Sequence, residues 1–202
     1  VIPTVSRKLV FLRAYFYFNL VRAYGDVPYF TEMVTTDQVN SLTRTPAQEI
    51  FNAIIAECDK LSTELPADYT KLGLDGIAPA ENGRVTCYAA LALKARAALY
   101  AASPLFNPEN NKDLWRRAAE ANKEVIETCT ANGFKLSKYS ELWGPNNWSN
   151  NEMIFVRRYN GNISTLEEYN FPMGVPGGNS GNCPTQNMVD AYEMKATGKN
   201  VE

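Results

Sequence analysis

The sequence predicts a mainly all-α fold, built from antiparallel helix pairs and followed by a loop-rich, partly irregular segment. Three observations predict it. Two segments combine helix-starting residues or stops with apolar residues at helical spacing. A third carries eight alanines between Ala89 and Ala102. After Phe134 the periodicity ends, and ten asparagines fall between Asn146 and Asn187 among scattered glycines. With 202 residues, 45% hydrophobic and 21% charged, the chain suits one domain with a core, or two small lobes sharing one.

The first helix is expected from about Arg7 to Tyr24. It is apolar nearly all round (Leu9, Val10, Phe11, Leu12, Tyr15, Phe16, Phe18, Leu20, Val21), which predicts burial on most sides. Gly25 supplies a left-handed end, and Asp26-Val27-Pro28 prevents continuation. Arg13 and Arg22 are expected to pair with carboxylates or carbonyls of packed neighbours. In the second helix, Thr45 can cap, Pro46 suits the first position and Gln48 completes a capping box. The stripe Ile50, Phe51, Ile54, Ile55, Cys58, Leu61 follows, and Pro66 closes it. A linker rich in Gly, Pro and Asp runs from about Ala67 to Gly83. Thr86 to Ala102 forms the alanine-rich helix, stopped by Ser103-Pro104; small residues at this density let helices approach closely. The fourth, Lys112 to Thr130, carries Leu114, Trp115, Ala118, Ala121, Val125 and Ile126, and ends at Asn132-Gly133. Helix starts near 7, 46, 86 and 112 share no single period, so two decorated pairs in the manner of tetratricopeptide units fit better than a regular array. Residues 1–132 are thus expected as a helical scaffold and 133–202 as a loop-rich binding segment of the same domain. Within that segment only Met153–Tyr159 resembles a strand, and Thr185–Tyr192 a short helix.

Composition excludes several functions. The net charge is −2 with basic residues scattered, which leaves no footprint for nucleic acid. No apolar run reaches the roughly 20 residues of a membrane span. The sequence has no histidine, hence neither the usual general base nor the commonest metal ligand. Cys58, Cys87, Cys129 and Cys183 form no CxxC pair, so no zinc site is expected. Cys58, Cys87 and Cys129 continue apolar stripes and read as core; Cys183, in a loop, stays open. No Gly-rich phosphate loop is present, and no cofactor of any kind is expected. Glu167-Glu168 and Asp190/Glu193 are the nearest carboxylate pairs, yet neighbours in a chain usually point apart, and a glycosidase needs two facing carboxyls. A protein that holds a ligand without transforming it is the reading; it is not an enzyme.

Four stretches carry a resemblance: Phe11–Tyr29 (FLRAYFYFNLVRAYGDVPY), Arg44–Phe51 (RTPAQEIF), Gly83–Thr86 through Lys94–Tyr100 (GRVT…KARAALY) and Pro184–Met194 (PTQNMVDAYEM). Together they resemble the SusD/RagB-like family of nutrient-binding outer-membrane lipoproteins. The resemblance implies a tetratricopeptide-like scaffold, lipid-anchored on the extracellular face of the outer membrane. It implies binding of oligosaccharides or polysaccharides and their delivery to a TonB-dependent transporter barrel, which the protein covers as a lid. The helical face built from Arg7–Tyr24 and Thr86–Ala102 is the expected docking surface. A peptide-binding member of the same family is the alternative, and a glycoside hydrolase a remoter one. Family members are much longer, so the sequence reads as a fragment, with the lipid-bearing cysteine upstream and a large C-terminal part beyond it.

Sugars present flat C–H faces and hydroxyl rings, so a site for them needs exposed aromatic planes beside neutral hydrogen-bonding groups. The stretch Trp143–Phe171 has that chemistry. Trp148 stands among Asn146, Asn147 and Asn150, followed by Arg157, Arg158 and Tyr159, then Tyr169-Asn170-Phe171. The candidate ligand-binding residues are therefore Trp148, Tyr159, Asn147, Arg157, Tyr169, Asn170 and Phe171, with Trp148 foremost. The two arginines can grip a ligand carboxylate or pair within the protein. Trp143 and Trp115 read as core.

Overall fold

The computed structural model describes residues 2–69, 84–143, 150–156, 169–194 and 197–199. Two compact units divide the chain, residues 1–157 and 158–202. The first is helical: α1 (Ile2–Tyr24), α2 (Thr36–Val39), α3 (Ala47–Glu64), α4 (Cys87–Ala102) and α5 (Lys112–Ala131), then a 3-10 turn (Tyr139–Trp143). Helix α1 packs on α3, α3 on α4 and α4 on α5, while α1 also touches α4. Each long helix thus buries a stripe against its neighbour in sequence, the tetratricopeptide-like arrangement.

Helix α1 starts at Ile2 rather than near Arg7, since no helix-stopping residue lies between Thr4 and Tyr24. Gly25 ends it at φ +70°, its N–H donating to the Val21 carbonyl at 2.8 Å. The expectation of burial on most sides is corrected. Phe11, Ala14, Tyr17, Phe18 and Val21 are buried, whereas Leu9, Phe16, Leu20 and Tyr24 are exposed. The buried face packs against α3, with further contacts to α4 and Phe155; among the described residues no element covers the face of Leu9, Phe16, Leu20 and Tyr24. Arg13 pairs with Glu57 of α3 and donates to the Thr31 carbonyl at 3.2 Å. Arg22 instead lies over the Phe18 ring, 5.9 Å from its centroid.

The expected capping box at Thr45 and Gln48 does not form. Thr45 is held by a bridge, its N–H donating to the Val27 carbonyl at 2.9 Å. Pro46 takes the cap position, and Asp26 Oδ1 accepts from the Ala47 N–H at 2.8 Å. Gln48 reaches across the unit, its amide donating to the carbonyls of Ala101 and Phe106 at 2.7 Å each. A motif legible as local is thus a tertiary tie between the start of α3 and the end of α4. A box-type contact occurs instead at the short α2, where Gln38 Oε1 accepts from the Thr35 N–H at 2.9 Å.

Helix α4 runs through the middle of the unit. Its Thr86 cap accepts from the Ala89 N–H, and Ser103 before Pro104 is extended, as a residue preceding proline must be. Tyr88, Leu91, Leu93 and seven of its alanines are buried. Helices α3 and α5 cover much of α4, whose Leu99 still reaches solvent, and of the two helices expected in the docking face α1 exposes the longer apolar stripe. Lys94 ties the three central helices together, pairing with Asp59 of α3 and, at 2.7 Å, with Glu124 of α5. Cys58 and Cys129 are buried and Cys87 half-buried, as the stripes predict; Cys183 is exposed.

Two tryptophans depart from their core reading. The inner stripe of α5 runs Leu114, Ala118, Ala121, Val125, Cys129, and position 115 lies a residue's rotation away from it. Trp115 is therefore exposed, its indole N–H donating to Asn110 Oδ1 at 3.1 Å. Trp143 is 70% exposed. The strand expected over Met153–Tyr159 is absent through residue 156. There the Met153 N–H closes a turn onto the Asn150 carbonyl, and Asn150 Oδ1 accepts from Glu152. Residues 157–159 lie outside the described residues.

Candidate ligand-binding surface

Beyond α5 the chain is guided outward by a few fixed contacts. Gly133, at φ +87°, ends the helix, and the Phe134 N–H turns back to the Cys129 carbonyl at 3.0 Å. The Phe134 ring seats edge-on against Tyr88, 4.9 Å between centroids. Ser137 then anchors the passage 134–138 to a second segment. Its N–H donates to Glu152 Oε2 at 2.9 Å and its hydroxyl to Asn150 Oδ1 at 2.6 Å. That second segment is itself seated, because the Phe155 ring stands edge-on to Phe11 of α1 at 5.5 Å.

The 3-10 turn Tyr139–Trp143 projects from this anchored base. Tyr139 is 75% exposed and touches Trp143 edge to face, with centroids 5.7 Å apart and planes inclined by 65°. Leu136 beside it is exposed as well. Two large aromatic faces in contact with each other and open to solvent are what a sugar-stacking surface requires. Sequence reasoning missed this pair because Trp143 follows Leu142 in a run that reads as packed. The available signal was the i, i+4 spacing of two aromatics just ahead of the asparagine-rich stretch.

Of the seven predicted site residues, Asn147, Trp148, Arg157 and Tyr159 lie outside the described residues. Tyr169, Asn170 and Phe171 open a loop in the second unit. Tyr169 and Phe171 are half exposed, and Asn170 Oδ1 accepts from the Asn182 amide at 2.6 Å. The loop is closed by backbone. The Gly181 N–H donates to the Tyr169 carbonyl at 2.7 Å and the Ser180 N–H to the Phe171 carbonyl at 2.9 Å. It also admits no side chain at two glycines. A Cβ on Gly181 would lie 2.2 Å from the Tyr169 ring, and one on Gly178 would lie 2.3 Å from the Pro172 carbonyl oxygen. Backbone cannot yield as a flexible side chain does, so Gly178→Ala should open this loop at a local cost of about 1–3 kcal/mol. Limited proteolysis would register it as new cleavage within 169–183, and an unchanged digestion pattern would refute the close packing.

Among the described residues, no group of three or more Asp, Glu or Cys stands close enough to hold a metal ion, and no helix is long and apolar enough to cross a membrane.

Residues 5–99, which contain most of α1, all of α2 and α3 and most of α4, match a family model described as "Starch-binding associating with outer membrane". Two relatives from Formosa agariphila are similar. SusD-like protein P25 is 24% identical over 152 residues, covering 75% of this chain and 25% of the relative. SusD-like protein P2 is 26% identical over 168 residues, covering 81% of this chain and 29% of the relative. Among solved structures, a SusD-like protein from Bacteroides fragilis superposes with a TM-score of 0.74 at 27% identity, covering 98% of this chain and 37% of its own. A SusD-like carbohydrate-binding protein from the same organism gives 0.69 at 25% identity, covering 97% and 35%. The fold also matches surface glycan-binding protein A from Bacteroides uniformis, with a TM-score of 0.55 at 21% identity over 74% of this chain and 29% of that one. The chain spans about a quarter to somewhat over a third of the length of these proteins. In sequence and in fold alike, the chain is similar to SusD-like proteins along most of its length.

Proposed function

We propose that this chain is part of a cell-surface protein that binds oligosaccharides or polysaccharides, does not cleave them, and delivers them to a TonB-dependent transporter. The observation that carries this reading is the match of the scaffold, residues 5–99, to a starch-binding family. The named activity of two of the similar structures, carbohydrate and glycan binding, supports it. The protein sits on the extracellular face of the outer membrane through a lipid anchor upstream of these residues. The exposed stripe Leu9, Phe16, Leu20 and Tyr24 on α1 is the apolar surface it offers the transporter barrel. Gentle extraction of the native complex should co-purify that barrel; repeated recovery of the protein alone would refute the lid role.

Ligand contact is proposed in the first unit for the exposed aromatic pair Tyr139 and Trp143 with Asn147, Trp148 and Arg157, and separately in the second unit for Tyr159, Tyr169, Asn170 and Phe171. Each stacking contact is worth on the order of 1 kcal/mol. A site assembled from a few of them binds with a Kd of roughly micromolar to millimolar, weak enough for hand-over. A glycan array with analysis of reducing-end products tests the class: retention without new reducing ends is expected. Cleavage products would indicate a hydrolase, and retention of peptides alone the peptide-binding alternative. Calorimetry on a retained oligosaccharide then tests the residues. Trp143→Ala and Trp148→Ala should each weaken binding about fivefold with an unchanged Tm. Unaltered affinity with a Tm several degrees lower would assign that tryptophan to packing instead.

A further inference from the structure

Helices α4 and α5 run antiparallel, and their register follows from contacts spread along them. The Asn122 amide donates to the Ala95 carbonyl at 3.4 Å, and Lys94 pairs with Glu124 at 2.7 Å. In the first turn of α4, Tyr88 meets Phe134, just past the end of α5. Cys87 stands eight residues before Ala95, and Cys129 seven after Asn122. In antiparallel helices those steps, about two turns each way, bring the two cysteines level with one another. Both also lie on the facing stripes: Cys87, Leu91, Ala95, Ala98 and Ala102 on α4, and Leu114, Ala118, Ala121, Val125 and Cys129 on α5. The alanines at the centre of this interface let the backbones approach closely. That favours the Cα separation of about 5.5–6 Å that a disulfide needs. The thiols sense one another electrically as well: burial pushes Cys129 up, and the adjacent Cys87 pushes it further. Cys58 lies on α3, outside this interface.

We propose that Cys87 and Cys129 form a redox-sensitive pair, two free thiols under reducing conditions and an α4–α5 disulfide staple under oxidising ones. The oxidant is a low-molecular-weight disulfide such as oxidised glutathione. The half-buried Cys87, the more accessible of the two, loses its proton to solvent and attacks one glutathione sulfur. That breaks the glutathione S–S bond and releases one glutathione thiolate. The Cys129 thiolate then attacks the Cys87 sulfur of the mixed disulfide, forming the Cys87–Cys129 bond and releasing the second glutathione. Two protein thiols are oxidised and one disulfide is reduced to two thiols. The staple closes a loop of about 40 residues, long enough to restrict the unfolded chain substantially. It also pins the end of α5 from which the Tyr139–Trp143 turn departs. The inference stands independently of any ligand.

The test is to hold the purified protein at pH 8 in oxidised or reduced glutathione, quench with N-ethylmaleimide in denaturant so that every free thiol reacts, and map peptides without reduction. Oxidation should remove two of the four alkylatable thiols and yield a peptide cross-linked through Cys87 and Cys129. It should raise Tm by about 10 °C, reversibly with reductant. The Cys58→Ala/Cys183→Ala double variant should behave in the same way, whereas Cys87→Ser and Cys129→Ser should lose both the cross-link and the Tm shift. Should the buried Cys129→Ser variant fail to fold, Cys87→Ser at its half-buried position decides alone. Four alkylated thiols after saturating oxidation would overturn the proposal. So would stable glutathione on Cys87 without closure, or a cross-link through Cys183.

Discussion

Replacing Phe51 with alanine should destabilise the protein by about 4 kcal/mol, the upper range for a truncated core aromatic. Phe51 is fully buried on α3 at the point where three parts of the first unit converge. Its ring meets Phe106, from the turn between α4 and α5, edge-on at 5.0 Å, and Phe18 of α1 at 6.5 Å. Ile50 and Ile54 beside it are buried on the same helix, so neighbours already in tight contact have little room to collapse into the void. A loss of this size lowers Tm by roughly 10 °C in a protein of this length. Phe51→Leu keeps most of the volume and should cost only about 1–1.5 kcal/mol. Urea denaturation of the two variants measures the difference. If Phe51→Ala shifts the midpoint no more than Phe51→Leu does, α1, α3 and the α4–α5 turn do not meet at this residue.

How far such a core can be read without coordinates depends on where the physical signal resides. Helices α3, α4 and α5 are written locally. Their apolar residues recur every three to four positions, and Thr86, Ser103-Pro104 and Asn132-Gly133 mark ends through backbone preferences that act within a turn of the helix. What failed was everything requiring a partner. Apolar residues all round α1 state that surface must be covered but not by what, and among the described residues Leu9, Phe16, Leu20 and Tyr24 are left exposed. Thr45 and Gln48 have the right spacing for a box, yet Asp26 and the end of α4 offered stronger partners than each other. Trp115 differs from a core residue by a single step of helical rotation.

The candidate site is legible in composition and illegible in geometry, for a related reason. Asparagine and glycine between 146 and 187 signal turns because they tolerate the required backbone angles, but loop position is determined by closures between residues distant in sequence. The bonds of Ser137 to Asn150 and Glu152, and of Gly181 to Tyr169, follow no period. Hence Trp143, which resembles a packed aromatic in its local run, emerges with Tyr139 as an open pair.

Stability should fall steeply on the alkaline side, by ~4 kcal/mol from Cys58 alone. Burial pushes this thiol from 9.0 to about 12, with the negative charge of Glu57 adding to the effect and Lys94 opposing it. A group whose pKa is higher in the fold keeps its proton there after the unfolded chain has released it. The stabilisation is therefore complete below pH 9 and lost as pH climbs from 9 towards 12, at about 1.4 kcal/mol per unit. Other groups act in the same direction. Burial raises Tyr29, Tyr69, Tyr88, Cys87 and Cys129. Burial draws Lys94 down, but its hydrogen bonds to Asp59 and Glu124 more than reverse this, leaving it raised. These tyrosines and Lys94 titrate mainly above pH 10, so between pH 9 and 10.5 the thiols dominate, and Cys58 accounts for roughly 2 kcal/mol. Urea midpoints at pH 8, 9, 10 and 10.5 should decline accordingly in the wild type. In Cys58→Ala, lower at the outset because a small cavity replaces the sulfur, the decline should be much shallower. Parallel curves for the two proteins would mean that Cys58 ionises as readily in the fold as outside it, and that the centre of α3 is open to water.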